Sequence, residues 1–258
     1  MLNEYQNKFK KNIEKISARG ISQRDIFADN VSCMAIAMAN GVDSSNFDRR
    51  EAEYMRIIGK YSKEEIELFT ANMAILVEGL EFEVKDFLGE VYESLEASNK
   101  HVGQFFTPFH LSDMIAKMQI NIPKIIEEVS SGRIISICEP ACGAGSLLIA
   151  VVNAINESCP EEYKSQLQKN IIFVATDIDS LCVKMAYLQM SLLGYCGVFN
   201  NGNTLSLEVW ETWITPVAYI SNIIRRFGRQ NDEDGQEKIK KILLEMMNDK
   251  QIFLKMGA

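Results

Sequence analysis

From residue 1 to about residue 98, apolar positions recur every three or four residues, the spacing that gathers them on one side of an α-helix. Tyr5, Phe9, Ile13 and Ile16 form one such stripe. Ile26, Phe27, Val31, Met34, Ala35 and Met38 form a second, which ends near Asn40-Gly41, a C-terminal cap signal. Ser62-Lys63-Glu64-Glu65 has the form of a capping box and predicts a helix carrying Ile66, Phe69, Met73 and Leu76. Phe87, Val91 and Leu95 predict another. An N-terminal helical domain over residues 1–98 is expected, and a bundle alone announces no activity.

From about residue 99 the pattern changes to short apolar runs alternating with helices, which is the sign of an α/β layer over 99–220. Thr107-Pro108 supplies an N-cap and an N1 proline for a helix with Leu111, Met114, Ile115 and Met118 on one face. Arg133–Cys138 reads as a buried strand, followed by the loop EPACGAGS and a helix over 147–155. Ile171–Thr176 is a second strand that ends in Asp177, and a helix runs from Ser180 to about Leu193. Gly197-Val198-Phe199 is a candidate third strand. The stretch with Trp210, Trp213 and Pro216 has no clear period, and two tryptophans three apart most often mark one packed helix face. A C-terminal helical tail is expected over 221–258. Its stripe of Ile239, Ile242, Leu243, Met246 and Met247 suits one partner helix, in this chain or in a homo- or hetero-oligomer.

Composition narrows the classes. A chain of 258 residues, 47% hydrophobic, can bury a substantial core, and no run approaches the roughly 18 apolar residues of a membrane span. The opening MLNEYQNKFKK is charged rather than a signal peptide, so a soluble, cytoplasmic protein with no membrane partner is expected. Six cysteines without a CxxC pair read as reduced, buried thiols. With only His101 and His110 present, neither a structural metal site nor a Ser/His/Asp triad is expected. The net charge of −8 argues against a large basic DNA-gripping face, so DNA contact would need a local patch or a partner.

Chemistry concentrates between the first two strands. Glu139-Pro140-Ala141-Cys142-Gly143-Ala144-Gly145 joins a buried strand to a helix, where glycines let the backbone approach a ligand and free amides meet its polar groups. The loop alone is weak evidence, because an ordinary tight turn has the same look. Asp177 adds context, since an acidic residue at the end of the next strand can accept from both hydroxyls of a ribose. The competing reading makes Asp177 a cap of the following helix, shared with Asp179 or Ser180. A nicotinamide-dependent oxidoreductase fits poorly, as the loop lacks the third glycine of that fingerprint.

Gly103-Gln104-Phe105-Phe106-Thr107-Pro108, followed about thirty residues later by EPACGAGS, resembles the modification subunits of type I restriction systems, the N6-adenine DNA methyltransferases. DFLGEVYESL, within residues 86–95, is similar to a stretch of the same family, and the resemblance covers roughly residues 85–205. It implies a Rossmann-like S-adenosylmethionine-dependent methyltransferase core. It also implies that Gln104, Phe105, Phe106, Thr107 and Pro108 pack around the methionine end of the cofactor. By the same resemblance Glu139, Pro140, Ala141, Gly143, Gly145 and Ser146 hold its amino-acid and ribose region, with Asp177 and the adjoining Ile178 at the ribose. The implied partners are DNA and a specificity subunit.

The chain departs from the family at two points. Where the family has a G-D-[ST]-L segment that meets the cofactor adenine, this chain has Gly202-Asn203-Thr204-Leu205, with an amide on Asn203 that can still hydrogen-bond. The N-P-P-[FY] motif expected on the next strand, which holds the target amine while an aromatic ring stacks on the flipped base, is nowhere in the sequence. The core is therefore expected to be incomplete at its catalytic end, and no catalytic residue can be named. Two functions stay open: methyl transfer to adenine N6 in DNA, or a catalytically inactive relative that binds the cofactor, DNA or a partner subunit.

Overall fold

The computed structural model describes residues 2–17, 20–96, 106–230 and 255–257. Five helices fill the first part: α1 (Glu4–Ser17), α2 (Gln23–Asn40), α3 (Phe47–Ile58), α4 (Lys63–Phe82) and α5 (Phe87–Glu96). The capping box opens α4: the Ser62 hydroxyl accepts from the Glu65 amide, and the Glu65 carboxylate accepts from the Ser62 amide. Phe9, Ile13 and Ile16 of α1 are buried against Ile26, Phe27 and Val31 of α2. Through this apolar contact runs an amide relay. Asn12 donates to Asn72 at 2.9 Å, Asn72 donates to Asn30 at 2.8 Å, and Asn30 donates to the Phe69 carbonyl. A one-turn slip of α1, α2 or α4 would strand these buried amides, at about 1–3 kcal/mol each, so the relay fixes the helices' register.

The second part is a sheet with helices on both faces. β1 (Ile135–Glu139), β2 (Ile171–Asp177) and β3 (Cys196–Asn203) run parallel, with Ile135 beside Ile171 and Ile172 beside Cys196. Being covered on both sides, they read as continuous apolar runs rather than alternating ones. Ile135, Ile137, Phe173 and Phe199 face the large core shared with the helical part, while Cys138, Ile172, Val174 and Val198 face the other way. α6 (Phe109–Gln119) and α7 (Ile122–Ser130) precede β1, α8 (Ser146–Ser158) and α9 (Glu161–Asn170) join β1 to β2, and α10 (Ser180–Leu192) joins β2 to β3. α6 starts one residue later than expected. Pro108 is the extended cap, with φ −53° and ψ 134°, and makes no side-chain capping bond. The polar stretch before β2 is itself a helix, α9. All six cysteines are buried and unpaired.

The unassigned stretch after residue 205 is a strand, β4 (Glu208–Ile214), which turns back antiparallel along the outer edge of β3. Asn203 lies beside Glu208 and Val198 beside Ile214, so β4 starts at the edge formed by Glu139, Asp177 and Asn203 and ends at the opposite one. The tryptophans therefore do not share a helix face. Trp213 is buried, whereas Trp210 falls where the pairing skips from Glu211 to Val209, at a bulge, and is 55% exposed. α11 (Pro216–Ile220) and α12 (Ile223–Gln230) come next, and Ala218, Ile223 and Phe227 close the second face of the sheet. The expected all-helical tail needs correcting at its end, because Lys255–Gly257 is a short strand, β5, antiparallel to β1. The stripe of Ile239, Ile242, Leu243, Met246 and Met247 lies outside the described residues. Sheet order is β4-β3-β2-β1-β5.

What holds β4 in place is a buried charge. Arg50 of α3, 1% exposed, pairs with Asp43 at 2.7 Å, and its guanidinium lies over the Trp213 ring at 4.7 Å. It also donates to the Thr212 carbonyl, and the neighbouring Arg49 pairs with Glu211. Burial pushes the Asp43 carboxyl up, but hydrogen bonds from Ser45 and Arg50 prevail and hold it at about 2. Arg50→Ala leaves Asp43 buried without its cation and should cost about 3–5 kcal/mol of unfolding free energy in a denaturant titration. The paired change Arg50→Met with Asp43→Leu should recover most of that loss, since it removes both charges together.

Candidate cofactor site

The carboxyl ends of three parallel strands place Glu139, Asp177 and Asn203 along one edge, the place where open α/β sheets bind ligands. After Glu139 the chain must turn sharply into α8. Gly143 at φ +52° and Gly145 at φ +94° make that turn in the left-handed region. A Cβ on Gly145 would come within 3.1 Å of the Ala186 Cβ, and one on Gly143 within 3.1 Å of the Phe106 ring. Gly145 is thus demanded by both conformation and space, while Gly143 lets Phe106 lie against the loop.

The loop is tied down on several sides. The Gly145 amide donates to the Cys142 carbonyl and the Cys142 amide to the Thr176 carbonyl. Asp177 accepts from the Gly143 amide at 2.8 Å and from the Asp179 amide at 2.9 Å. Asp177 does not cap α10; Asp179 does, accepting from the Leu181 amide. The first helical residue of α8, Ser146, shares a hydrogen bond with Ser112 of α6 and donates to the Thr107 carbonyl, which draws the 106–108 segment over the loop. Glu93 of α5 accepts from the Phe106 amide at 3.0 Å. Gln104 and Phe105 lie outside the described residues.

Two carboxyls dominate the electrostatics. Burial pushes Glu139 up to about 8, further raised by the charge of Asp177 and opposed by the Ala141 amide. One of its oxygens, Oε2, is buried with no partner among the described residues. Burial also raises Asp177, against the pull of the Asp179 and Gly143 amides. An unpartnered buried carboxyl beside a glycine turn suits a cationic or hydroxyl-bearing ligand. Along the rim, Ile178 is 63% and Leu205 87% exposed, an apolar flank at the β3 end of the edge.

Asn203 is less free than its place in the sequence suggests. Its side-chain oxygen accepts from the Leu205 and Ser206 amides, shaping the β3–β4 turn, so its amide nitrogen is the group it has to offer a ligand. Pro140 accepts through its carbonyl from the Thr204 hydroxyl, and Ala141 is exposed. Three contributors escape a reading of the sequence. Asn201 holds the Asp177 and Ile178 carbonyls, Thr204 binds the loop, and Gln189 reaches the Ala144 carbonyl at 2.9 Å. A polar residue flanked by apolar ones is the signal that marks Gln189, whereas Asn201 is one of three asparagines in β3 and has no such mark. An acidic cleft of about 730 Å³ adjoins Phe106–Pro108, lined by Glu83, Glu90, Glu93 and Asp113 among others, but neither the glycine loop nor Asp177 lines it. Among the described residues no cluster of metal ligands occurs, and no helix is long and apolar enough to cross a membrane.

The fold is an α/β sheet that brings a glycine turn and an acidic strand end to one edge, and known proteins share its pattern. Residues 83–242 match the N-6 DNA methylase family, and the chain belongs to that family. The methylase subunit of the type I restriction enzyme MpnII of Mycoplasma pneumoniae is 27% identical over 154 residues, 56% of this chain and 25% of that protein. The chain thus spans about a quarter of the length of that relative. Among solved structures, the type I restriction-modification methyltransferase subunit of Streptococcus thermophilus aligns with a TM-score of 0.36 at 14% identity, covering 81% of this chain and 59% of that one. A protein of Listeria monocytogenes, described as a class I S-adenosylmethionine-dependent methyltransferase, aligns with a TM-score of 0.36 at 13% identity, covering 94% and 80%.

Glu139 ionises in the unfolded chain at an ordinary carboxyl pKa but in the folded chain only near 8, so folding loses stability as pH rises through that interval and levels off above it. Glu139→Gln keeps the shape without the charge. Its melting temperature should exceed that of the wild type by a margin that is small near pH 5, grows toward pH 8 and then stays flat, as thermal scans across that range would show.

Proposed function

We propose that this member of the N-6 DNA methylase family binds S-adenosylmethionine at the edge formed by Glu139, Asp177 and Asn203. The observation that carries the reading is the unpartnered buried oxygen of Glu139 beside the left-handed Gly143–Gly145 turn. The residues fit the cofactor's chemistry: a carboxyl for its ammonium, Asp177 for the ribose hydroxyls, and Ile178 with Leu205 as apolar cover for the adenine. The Phe106–Pro108 segment, held by Ser146 and Glu93, closes over the methionine end. When bound, the cofactor would supply an electrophilic methyl group. Glu139 gives up a proton more readily beside that cation, and the Gly143–Gly145 turn keeps side chains out of its path.

We further propose that methyl transfer to adenine N6 in DNA needs a base-holding loop from another chain, such as a specificity or partner subunit. In this reading the protein acts as the cofactor-binding subunit, in the cytoplasm. Support comes from the course of the chain after β3. β4 reverses, so that Thr215 and Pro216 fall at the edge opposite the glycine loop, and only residues 204–208 of the hairpin remain near the edge of Glu139, Asp177 and Asn203. Trp210 is exposed but lies beyond β3 from Asp177, on the far side from β1. Among the described residues after β3, no amide and stacking ring are therefore held together in one short loop: the Asn203 oxygen is taken up by its own turn, and the Trp210 ring lies beyond β3.

Titration calorimetry with S-adenosylmethionine should give a saturable heat. Gly143→Val should abolish it by driving a branched side chain into Phe106, and Asp177→Ala should weaken binding by roughly 1.5–3 kcal/mol, the worth of hydrogen bonds to a charged group. No heat from wild-type protein at millimolar cofactor sinks the proposal. In a labelled-methyl assay on adenine-rich duplex and single-stranded DNA, the chain alone should show at most trace N6-methyladenine. Turnover near the common enzymatic range of about 1 per second or more would overturn the second half of the reading.

A further inference from the structure

Gln189 lies toward the C-terminal end of α10, between the buried Leu188 and Met190, and is wholly buried. Its side-chain amide meets three groups from two distant parts of the chain. Nε2 donates to the Ala144 carbonyl at 2.9 Å and to Asp86 Oδ1 at 3.0 Å, while Oε1 accepts from the Leu88 amide at 3.0 Å. Asp86 in turn accepts from the Gly89 amide at 2.9 Å, so it closes the first turn of α5. Both amide hydrogens and one acceptor position of Gln189 are therefore used in a water-free place, where each unmade bond is costly.

Ala144 is the residue between the two left-handed glycines. A turn with glycine on both sides has many backbone conformations within reach, so something must choose one. The Ala144–Gly145 peptide is fixed at both ends, by the Gly145 amide to Cys142 within the loop and by the Ala144 carbonyl to Gln189 from behind. On the ligand side, the Gly143 amide is held by Asp177. Of these ties, the one to Gln189 alone reaches the N-terminal helices.

We propose that Gln189 is a positioning residue: it sets the Ala144–Gly145 peptide plane from the start of α5, so that the helical part of the chain dictates the shape of the loop that takes the cofactor. The proposal rests on the S-adenosylmethionine reading for its functional consequence, while its structural consequence is independent of any ligand. In geometric terms Asp86 and Leu88 orient the amide and the amide orients the loop.

Two variants separate this role from a general packing role. Gln189→Glu keeps an acceptor for Leu88 but turns a carboxylate toward Asp86 and the Ala144 carbonyl, so both folding and the loop suffer. Adding Asp86→Asn supplies a donor to that carboxylate and restores the link to α5, at the cost of the bond that the same Asp86 oxygen accepts from the Gly89 amide, and still offers Ala144 no hydrogen. The double variant should melt above Gln189→Glu but bind S-adenosylmethionine at least about tenfold more weakly than wild type, the loss expected for one buried hydrogen bond. Its Gly143 and Gly145 amide resonances in nitrogen-15 correlation spectra should differ from those of wild type without any ligand. If the double variant melts and binds as wild type does, the positioning role is refuted while cofactor binding stands. If wild type binds no cofactor, the reading of function fails. The amide resonances still decide the loop's dependence on Gln189, and resonances unchanged between wild type and the double variant refute it.

Discussion

The position of β4 depends on one buried guanidinium. Arg50 stands between the Asp43 carboxylate and the face of Trp213, with Lys184 a second cation 5.7 Å from the same ring. Lys184 is itself paired with Glu53 of α3 and hydrogen-bonded to Ser32 of α2. A charge removed from water needs partners, so Trp213 and the strand that carries it are held against α2 and α3, although Arg50 Nε and Trp213 Nε1 have no hydrogen-bond partner among the described residues. β4 lies outside β3, and the place next to β1 is taken by β5, whose Lys255 pairs with Cys138, the neighbour of Glu139.

That arrangement divides the carboxyl edge of the sheet in two. At the ends of β1 and β2 the glycine turn and Asp177 are tied to each other. The segment that leaves the third parallel strand is a hairpin. The hairpin is built for reversal: Asn203 folds its own oxygen back onto two amides, Leu207 takes φ 61°, and a bulge at Trp210 increases the twist. Such a left-handed conformation at a leucine is a cost that the pairing of β3 with β4 offsets.

The helical part is more than an appendage. Its amide relay of Asn12, Asn72 and Asn30 fixes the register of three helices, and α5 then presents Asp86 and Leu88 to Gln189 and Glu93 to the Phe106 amide. Both segments around the candidate site, the glycine turn and the 106–108 strap, thus have a tie to α5. Buried polar contacts of this kind specify one arrangement because the alternatives leave groups unpaired.

Much of this was legible in the residues alone, for a physical reason. The amphipathic stripes of α1 and α2, the capping box at Ser62, the apolar runs of β1 and β2, the glycine turn and Asp177 are each decided within a few residues by period, dihedral preference or capping chemistry. The family resemblance is likewise carried by short segments, Gly103–Pro108, EPACGAGS and DFLGEVYESL, within the residues 83–242 that match the family. Other features were decided only by tertiary structure, because their partners are distant in sequence. The setting of Trp213 depends on Arg50, more than 150 positions earlier, and two tryptophans three apart suit a helix face as well as a bulged strand until that partner is known. Asn203 looked free for a ligand until the turn it makes consumed its oxygen. Gln189 gave only the hint of a polar residue flanked by apolar ones, and its meaning came from Asp86 and Ala144, which the fold brings to it from 103 and 45 residues away.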